Sequence, residues 1–236
     1  REPARRLSGG TRDHTPRWSP DGRRLAFVRA AERDGKVQPP QIYVLSMAGG
    51  EGRSVTDIPR GAGNPVWSPD GTTIAFSSSA TPADLVPKPA PDEKKGEAAP
   101  KRESDVRVVT RAVYRANGVP DFGYVDPDRP THVWTIAVAD APGTAPAKPA
   151  PVTSGEFSAN AHSWSADGSQ IYFLSDRRPE PYYLPFDGDL YAAPRGGGEP
   201  ARIASIDGGI GPYAVAPDGR RIAFLGTEHG KPERSY

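Results

Sequence analysis

A twelve-residue stretch of this chain, RWSPDGRRLAFV at residues 17–28, recurs three more times. The copies read PVWSPDGTTIAFS from Pro65, HSWSADGSQIYFL from His162 and YAVAPDGRRIAFL from Tyr213. Their Asp-Gly pairs are separated by 49, 97 and 51 residues. Self-similarity at a period near fifty residues indicates a repeat architecture, so this motif constrains the fold more than any other feature of the sequence.

Each copy predicts a strand, a tight turn and a second strand. Proline restricts φ, aspartate bonds to its own backbone and glycine adopts positive φ, so a Ser-Pro-Asp-Gly tetrad suits a turn. The run after the turn is apolar on both faces, as expected of a strand between two neighbouring sheets. We therefore assign a structural turn role to four Asp-Gly pairs: Asp21 and Gly22, Asp70 and Gly71, Asp167 and Gly168, and Asp218 and Gly219.

Further strands complete each repeat. QIYVLSM at 41–47 and DLYAAP at 189–194 are each followed by a Gly-rich stretch, which predicts a hairpin and a fourth strand. Four-stranded antiparallel units at this period are typical of β-propeller blades. We predict an all-β fold: a partial β-propeller with about three full blades and partial blades at both ends. A β-sandwich is disfavoured because its strands do not recur as near-identical units.

The long interval between Asp70 and Asp167 contains residues 80–105, with five prolines, eleven charged residues and no aromatic residue. Such a composition cannot bury a core, so we predict an exposed, mobile insertion within the second full blade rather than an extra blade. Residues 1–236 then form one incomplete propeller domain. Because open blade faces and strand edges promote aggregation, we expect the missing blades on the rest of the polypeptide or on another chain.

Composition excludes several classes of function. The 30 basic and 29 acidic residues are interspersed, so we expect no nucleic-acid partner. No apolar run is long enough to cross a bilayer, so we expect no membrane partner. The chain has no cysteine, which excludes disulfides and thiol catalysis but leaves both a cytoplasmic and a periplasmic or secreted location open. A homo-oligomer also stays open.

No catalytic, metal or cofactor site is predicted in the chain itself. The sequence contains no Gly-x-Ser-x-Gly, no His-Glu-x-x-His and no EF-hand loop. The four histidines fall at predicted loop or strand-edge positions and share no motif: His14, His132, His162 and His229. We therefore expect this chain alone to be non-catalytic.

The most distinctive stretch is VTRAVYRANGVPDFGYVD at residues 109–126. It places Arg111, Tyr114 and Arg115 on one predicted strand beside the charged insertion. These side chains could bind a carboxylate or line an entrance, and they are our candidates for substrate binding. The alternative is a solvated strand whose arginines lie along its neighbours.

Together these stretches resemble the prolyl oligopeptidase family of serine peptidases, in particular its bacterial acylaminoacyl-peptidase and dipeptidyl-peptidase-like members. The resemblance lies in the WSPDGxxIAF repeats, in VTRAVYRANG followed by HVWTIAV, and in WSADGSQIYFLSDRRPEP followed by DLYAAPRGGGEPARIA. TolB-like periplasmic propellers carry similar SPDG blades. The middle stretch, with its TR and YR pairs followed by NG, favours the peptidases.

That resemblance implies a propeller packed over an α/β-hydrolase domain with a Ser-Asp-His triad, a domain that this chain does not contain. The chain would then be the non-catalytic part that gates access of short peptides to the hydrolase domain. The implied partners are that domain, the remaining blades and short peptides, with no cofactor. The alternative function is a TolB-like, non-enzymatic propeller that acts as a protein-interaction module.

The predicted insertion can be tested by limited proteolysis. We expect a protease at low concentration to cut first within residues 80–105, because an exposed segment reaches a protease active site without unfolding of the blades. Mass spectrometry of the first fragments locates the cut. Protection of the segment while other sites are cut would indicate an ordered lid instead.

Overall fold

Each copy of the repeated motif forms the turn between two antiparallel strands. A computed structural model of the chain describes residues 7–86, 126, 129–139, 147–179, 181 and 187–229. These residues form strands, turns and a short 3₁₀ helix, with no α-helix among them. No helix in this part of the chain has the length and apolar character needed to span a membrane. The prediction of an all-β fold is confirmed.

Three four-stranded antiparallel sheets follow one another along the chain, and we call them blades 1, 2 and 3. The first segment contains β1 (Asp13–Trp18), β2 (Arg24–Arg29), β3 (Glu32–Arg33), β4 (Lys36–Val37), β5 (Gln41–Ser46) and β6 (Arg53–Ser54). Blade 1 has the order β1-β2-β5-β6, and β3 pairs with β4 as a separate hairpin. Blade 2 contains β7 (Gly63–Trp67), β8 (Thr73–Ser78), β9 (His132–Ala137) and β10 (Ala150–Pro151). Blade 3 contains β11 (Asn160–Trp164), β12 (Gln170–Ser175), β13 (Asp189–Pro194) and β14 (Ala201–Ala204).

A fourth, two-stranded sheet ends the described chain. It consists of β15 (Gly208–Val215) and β16 (Ile222–Glu228), which pair across the last Asp-Gly turn. These are the two strands of the predicted partial blade at the C-terminal side. At the other end, residues 7–10 form no strand, and residues 1–6 lie outside the described residues. The described residues therefore contain a partial blade only after blade 3.

Strands on both sides of the long interval between the second and third motifs lie in one sheet. β8 and β9 pair directly, from Thr73 opposite Ala137 to Ser78 opposite His132. The strands on either side of the interval are therefore neighbours in blade 2. That the interval belongs to one enlarged blade stays a prediction, because residues 87–125 lie outside the described residues. Of the predicted insertion, residues 80–86 are described: Ala80 is fully buried, and the 3₁₀ helix Pro82–Leu85 follows it. Exposure thus does not begin at residue 80, and residues 87–105 lie outside the described residues.

The first strands of the blades share a backbone distortion. Each has an irregular register three residues before the motif tryptophan, where a residue other than glycine adopts a positive φ: Thr15 at 53°, Asn64 at 50° and Ala161 at 50°. A left-handed residue with a Cβ costs about 1–2 kcal/mol, so a repeated distortion of this kind needs compensation elsewhere. β1 contacts β7 and β7 contacts β11, so the three distorted strands are neighbours in the stack.

The apolar core lies between the blades. One cluster fills the interface of blades 1 and 2 and includes Ile42, Phe76 and Trp134. A second fills the interface of blades 2 and 3 and includes Phe173 and Tyr191. Blade 2 thus buries both of its faces, which explains why its strand after the turn is apolar on both sides.

The motif tryptophans join neighbouring blades by a hydrogen bond as well as by packing. Trp67 Nε1 donates to the carbonyl oxygen of Arg17 at 3.0 Å, and Trp164 Nε1 donates to that of Val66 at 3.0 Å. In both cases the acceptor is the residue that precedes the tryptophan of the previous blade. These two rings are 7% and 6% exposed, whereas Trp18, with no preceding blade among the described residues, is 55% exposed.

The two-stranded unit at the end has no tryptophan at this position and contacts blade 3 through a tyrosine hydroxyl instead. Val215 occupies the tryptophan position, and Tyr213, two residues earlier, bonds to blade 3 instead. Its hydroxyl donates to the carbonyl oxygen of Ala161 at 2.7 Å and accepts from Ser163 Oγ at 2.9 Å. The outer face of this unit is open, with Leu225 71% exposed.

Replacing the buried tryptophans by phenylalanine tests the interblade bond. We expect Trp67→Phe and Trp164→Phe each to lower the free energy of unfolding by about 1–2 kcal/mol, because a strand carbonyl loses its donor and the smaller ring leaves a gap. Urea denaturation measures the change. The matched control is Trp18→Phe, which we expect to be close to neutral. An effect of Trp18→Phe as large as that of the other two would contradict the assignment.

Candidate functional site

The four Asp-Gly turns lie in a row along one end of the blades. Their glycines have φ between 67° and 70°, the region in which glycine carries no steric penalty. Each later glycine lies against the second residue of the preceding turn: Gly71 against Pro20, Gly168 against Pro69, and Gly219 against Ala166. The turns therefore pack on one another from blade to blade.

The turn aspartates bond within their own turns. Asp21 Oδ1 accepts from Ser19 Oγ at 2.6 Å and from the backbone N–H two residues later at 3.1 Å. Asp167 Oδ1 accepts from Ser165 Oγ at 2.6 Å and from the corresponding N–H at 3.0 Å, and the bond from Ser165 is the main reason that its pKa falls to about 2. Asp70 and Asp218 accept the equivalent N–H groups at 3.0 Å. In the described part of the chain, no group of three or more His, Cys, Asp or Glu residues could hold a metal ion.

The sequence-predicted substrate-binding residues, Arg111, Tyr114 and Arg115, lie outside the described residues. Their role stays a prediction.

Openings occur on blade 1 and on blade 2. The larger, about 730 Å³, lies on blade 1 between residues 7–12, 29–32 and 50–52. Blade 3 has an equivalent loop after its third strand. That loop is covered by blade 2, because Gly197 lies against Pro151 in β10, the outermost strand of blade 2. The larger opening is thus the position at which a preceding blade would place its outermost strand.

The smaller opening, a cavity of about 210 Å³, lies at the end of blade 2 away from its Asp-Gly turn. β8 runs from the turn to Ser78, and the residues just after it line the cavity, together with the start of β9 and the chain after β10. Lining side chains include Thr81, Arg129, His132, Trp134 and Thr153. This cavity is our candidate site, because it brings together titratable, hydroxyl and aromatic groups from three parts of the blade.

Two carboxylates hold Arg129 on the wall of the cavity. Its Nη1 donates to Asp84 Oδ2 at 2.7 Å, and its Nε lies 3.6 Å from Asp126 Oδ2. Asp84 also accepts from the backbone N–H of Thr81 at 2.8 Å, the main reason that its pKa falls to about 2. Asp126 in turn lies 3.8 Å from Arg60 Nη2. The cationic charge of Arg129 is therefore balanced within the wall.

His132 and Thr153 connect β9 to the chain that follows β10. The hydroxyl of Thr153 accepts the backbone N–H of Val133 at 2.9 Å and lies 3.4 Å from Nδ1 of His132. Burial lowers the pKa of His132, so this ring is neutral at neutral pH. Since the threonine hydroxyl already bonds to the strand, we assign the pair a structural role rather than that of nucleophile and base.

Trp134 differs from the other buried tryptophans. It is 1% exposed, and its indole N–H has no hydrogen-bond partner among the residues that the structure describes. Buried donors are almost always paired in folded proteins, so an unpaired indole beside a cavity is notable. Trp67 and Trp164, by contrast, both donate to strand carbonyls.

A second buried histidine lies between blades 2 and 3. His162 occupies the position taken by Pro65 in blade 2 and by Tyr213 in the last unit. Burial lowers its pKa to about 4, partly opposed by the nearby backbone of Ala75 and Asn64. Within the described part of the chain, its Nε2 has no hydrogen-bond partner.

His132 and His162 lie at strand-edge positions, as expected, because His132 is the first residue of β9 and His162 belongs to β11, the edge strand of blade 3. The sequence did not indicate that both side chains are buried. Both are 7% exposed, and both belong to strands. For His162 the alignment of the four motif copies carried a signal, because prolines and a tyrosine occupy the same position in the other copies. Nothing in the sequence indicated the cavity, because its lining residues are far apart along the chain.

Comparison with known proteins gives a fold and a partial relative. No protein-family profile matches the chain. A stretch of 58 residues is 48% identical to a protein of Bacillus subtilis named uncharacterized peptidase YuxL, covering 25% of this chain and 8% of that protein. The matched stretch thus covers less than a tenth of the length of that protein.

Solved structures share the propeller architecture. A putative TolB from Agrobacterium tumefaciens matches with a TM-score of 0.53 and 19% identity, over 89% of this chain and 53% of its own. A puromycin-hydrolyzing peptidase from Mycobacterium tuberculosis matches with a TM-score of 0.55 and 19% identity, over 91% of this chain and 26% of its own. The fold is therefore a β-propeller-like array of blades, and at this identity the likeness establishes the fold alone.

The buried His162 makes stability depend on pH. Its pKa is about 4 in the folded chain, against 6.5 for an ordinary histidine, so the unfolded chain binds more protons between these values. Stability is therefore full above about pH 6.5 and falls as the pH drops towards 4, by up to about 3 kcal/mol for this group.

The measurement is the slope of unfolding free energy against pH between 4.5 and 7, from urea denaturation. We expect His162→Gln to make that slope shallower, with His14→Gln, an exposed histidine, as the matched control. A slope equally reduced by both variants, or unchanged by His162→Gln, would contradict this account.

Proposed function

We propose that this chain is the propeller part of a serine peptidase, which restricts access of peptides to a separate α/β-hydrolase domain. The observation that carries the proposal is the 48% identity, over 58 residues, to a protein named as a peptidase. The propeller architecture shared with a puromycin-hydrolyzing peptidase is consistent with it. In this role the blades contribute walls, and the hydrolase domain contributes the acyl-enzyme chemistry.

Open blade faces support the proposed partners of this chain. Trp18 on blade 1 and Leu225 on the last unit are 55% and 71% exposed, while the corresponding faces between blades are buried. Exposed apolar faces of this kind are covered in stable propellers by the next blade. We propose that the remaining blades cover both faces and that the hydrolase domain lies against the completed propeller.

A size limit on substrates follows from this role. A short peptide passes through or between blades, whereas a folded protein does not. Arg111, Tyr114 and Arg115 remain our candidates for contacts with a substrate terminus, in keeping with the carboxylate-binding chemistry of arginine.

The second candidate function is that of a TolB-like propeller that binds a protein partner without catalysis. The observation in its favour is the likeness to the putative TolB structure, of which this chain covers 53%. The two candidates differ in one measurable property, the presence of an activated serine in the complete protein.

Labelling with a fluorophosphonate tests the proposal. We expect the complete, folded protein to be labelled at one serine and to hydrolyse aminoacyl or acyl-aminoacyl chromogenic amides, because an activated serine attacks both classes of reagent. In-gel fluorescence and absorbance report the two reactions. Heat-denatured protein is the control for nonspecific labelling.

Residues 1–236 alone should neither be labelled nor turn over the amides. Turnover by residues 1–236 would contradict the non-catalytic assignment. Absence of labelling in the complete protein would favour the TolB-like alternative.

A further inference from the structure

Arg177 is a partly buried cation without a counter-ion. It follows β12 at the end of blade 3 away from the Asp-Gly turn, and its guanidinium carbon lies 4.2 Å from the ring centroid of Tyr191. Within the described part of the chain it forms no hydrogen bond and no ion pair. Charged groups that lose contact with water are normally paired in folded proteins. This guanidinium therefore lacks an anion at a place where one would be stabilising.

Blade 1 has the same arrangement with an anion in place. The guanidinium carbon of Arg29 lies 4.9 Å from the centroid of Tyr43, which occupies the position of Tyr191 in the strand register. Nε and Nη2 of Arg29 donate to the two carboxylate oxygens of Asp13, both at 2.7 Å. A guanidinium stacked on the third-strand tyrosine thus holds a carboxylate in this fold. Blade 3 has Ala159 at the position of Asp13, so its guanidinium has no equivalent partner.

The aspartates at this end of blade 3 are bound to other arginines. Asp176 and Asp187 contact Arg178 at 2.7 and 3.3 Å, and Asp189 contacts Arg202 at 3.1 Å. None of the three bonds to the guanidinium over the tyrosine ring. Because each already has a cationic partner, its repulsion of a further anion is reduced.

The guanidinium of Arg177 is open to a ligand at its outer edge. Its Nε is buried and unpaired, but its two Nη groups are not among the buried unpaired atoms of the described residues. A carboxylate that approaches from solvent thus reaches both Nη groups side by side, which is one form of the bidentate pair. Tyr191, which is 8% exposed, supports the guanidinium from behind and need not contact the ligand.

We propose that Arg177 binds a carboxylate group of a peptide through its two Nη groups. The choice of a peptide as the bearer of the carboxylate rests on the proposed function. Carboxylates occur at the C-terminus of a peptide and on acidic side chains, and the planar fork of an arginine pairs with both in the same way. The site then gives the propeller a preference for peptides that carry an anionic group.

Three peptides that differ in one group test the proposal on the complete protein. N-trifluoroacetyl trialanine has a C-terminal carboxylate, its amide has none, and the amide with a central glutamate has a side-chain carboxylate. The protein is first treated with the fluorophosphonate, so that no peptide is hydrolysed, and fluorine NMR gives the dissociation constants. We expect at least one anionic peptide to bind about tenfold more tightly than the neutral amide.

The anionic peptide that binds more tightly identifies the source of the carboxylate. Equal binding of all three peptides, or binding of none, would overturn the proposal. This comparison uses wild-type protein, so it does not depend on the folding of a variant.

Variants locate the binding. Arg177→Gln removes the fork and should leave the affinities of the anionic and neutral peptides within about twofold of each other. Arg177→Lys keeps the charge and the apolar stem, and it should lower the preference because an ammonium does not form two parallel bonds. The matched control is Arg220→Gln, an exposed arginine with the same change of charge, which should keep the preference. A preference unchanged by both Arg177 variants, or lost equally in Arg220→Gln, would overturn the proposal.

Fluorophosphonate labelling reports separately on the proposed function. Labelling without a carboxylate preference would overturn this site alone. A carboxylate preference without labelling would overturn the peptidase role alone.

Discussion

The hydrogen bond from a buried indole to a strand carbonyl of the preceding blade determines how the blades of this chain stack. Trp67 and Trp164 make the same bond to equivalent carbonyls, and the apolar clusters on either side of them close around it. A blade with two apolar faces cannot be stable alone, so the interface matters more than the single sheet. The last unit is also joined to blade 3 by a polar contact, in this case through the hydroxyl of Tyr213.

The candidate site exists because one blade departs from the pattern of its neighbours. In blades 1 and 3 an arginine lies over the aromatic ring on the third strand, Tyr43 and Tyr191 respectively. Blade 2 has the small residues Ser78 and Ala80 at the positions that correspond to these arginines. The result is a cavity, an unpaired indole N–H and a wall whose charges balance.

Buried or strained groups also occur where neighbouring blades meet. His162 lies neutral between blades 2 and 3, at a position that proline or tyrosine occupies elsewhere. The bulges at Thr15, Asn64 and Ala161 recur at one level of the stack and carry backbone strain in each blade. The apolar clusters between blades provide the burial that maintains these unfavourable features.

The sequence by itself determined the blade architecture, because four copies of one motif specify the turn, the flanking strands and the period. It also indicated that the turn aspartates bond locally, since Ser-Pro-Asp-Gly supplies donor and acceptor within a few residues. Only the tertiary structure decided which polar groups are buried. His132, Trp134 and Thr153 are brought together by strand pairing across a long interval, and His162 is covered by a different blade. Burial of this kind depends on what packs against a residue, which the pattern along a single strand does not contain.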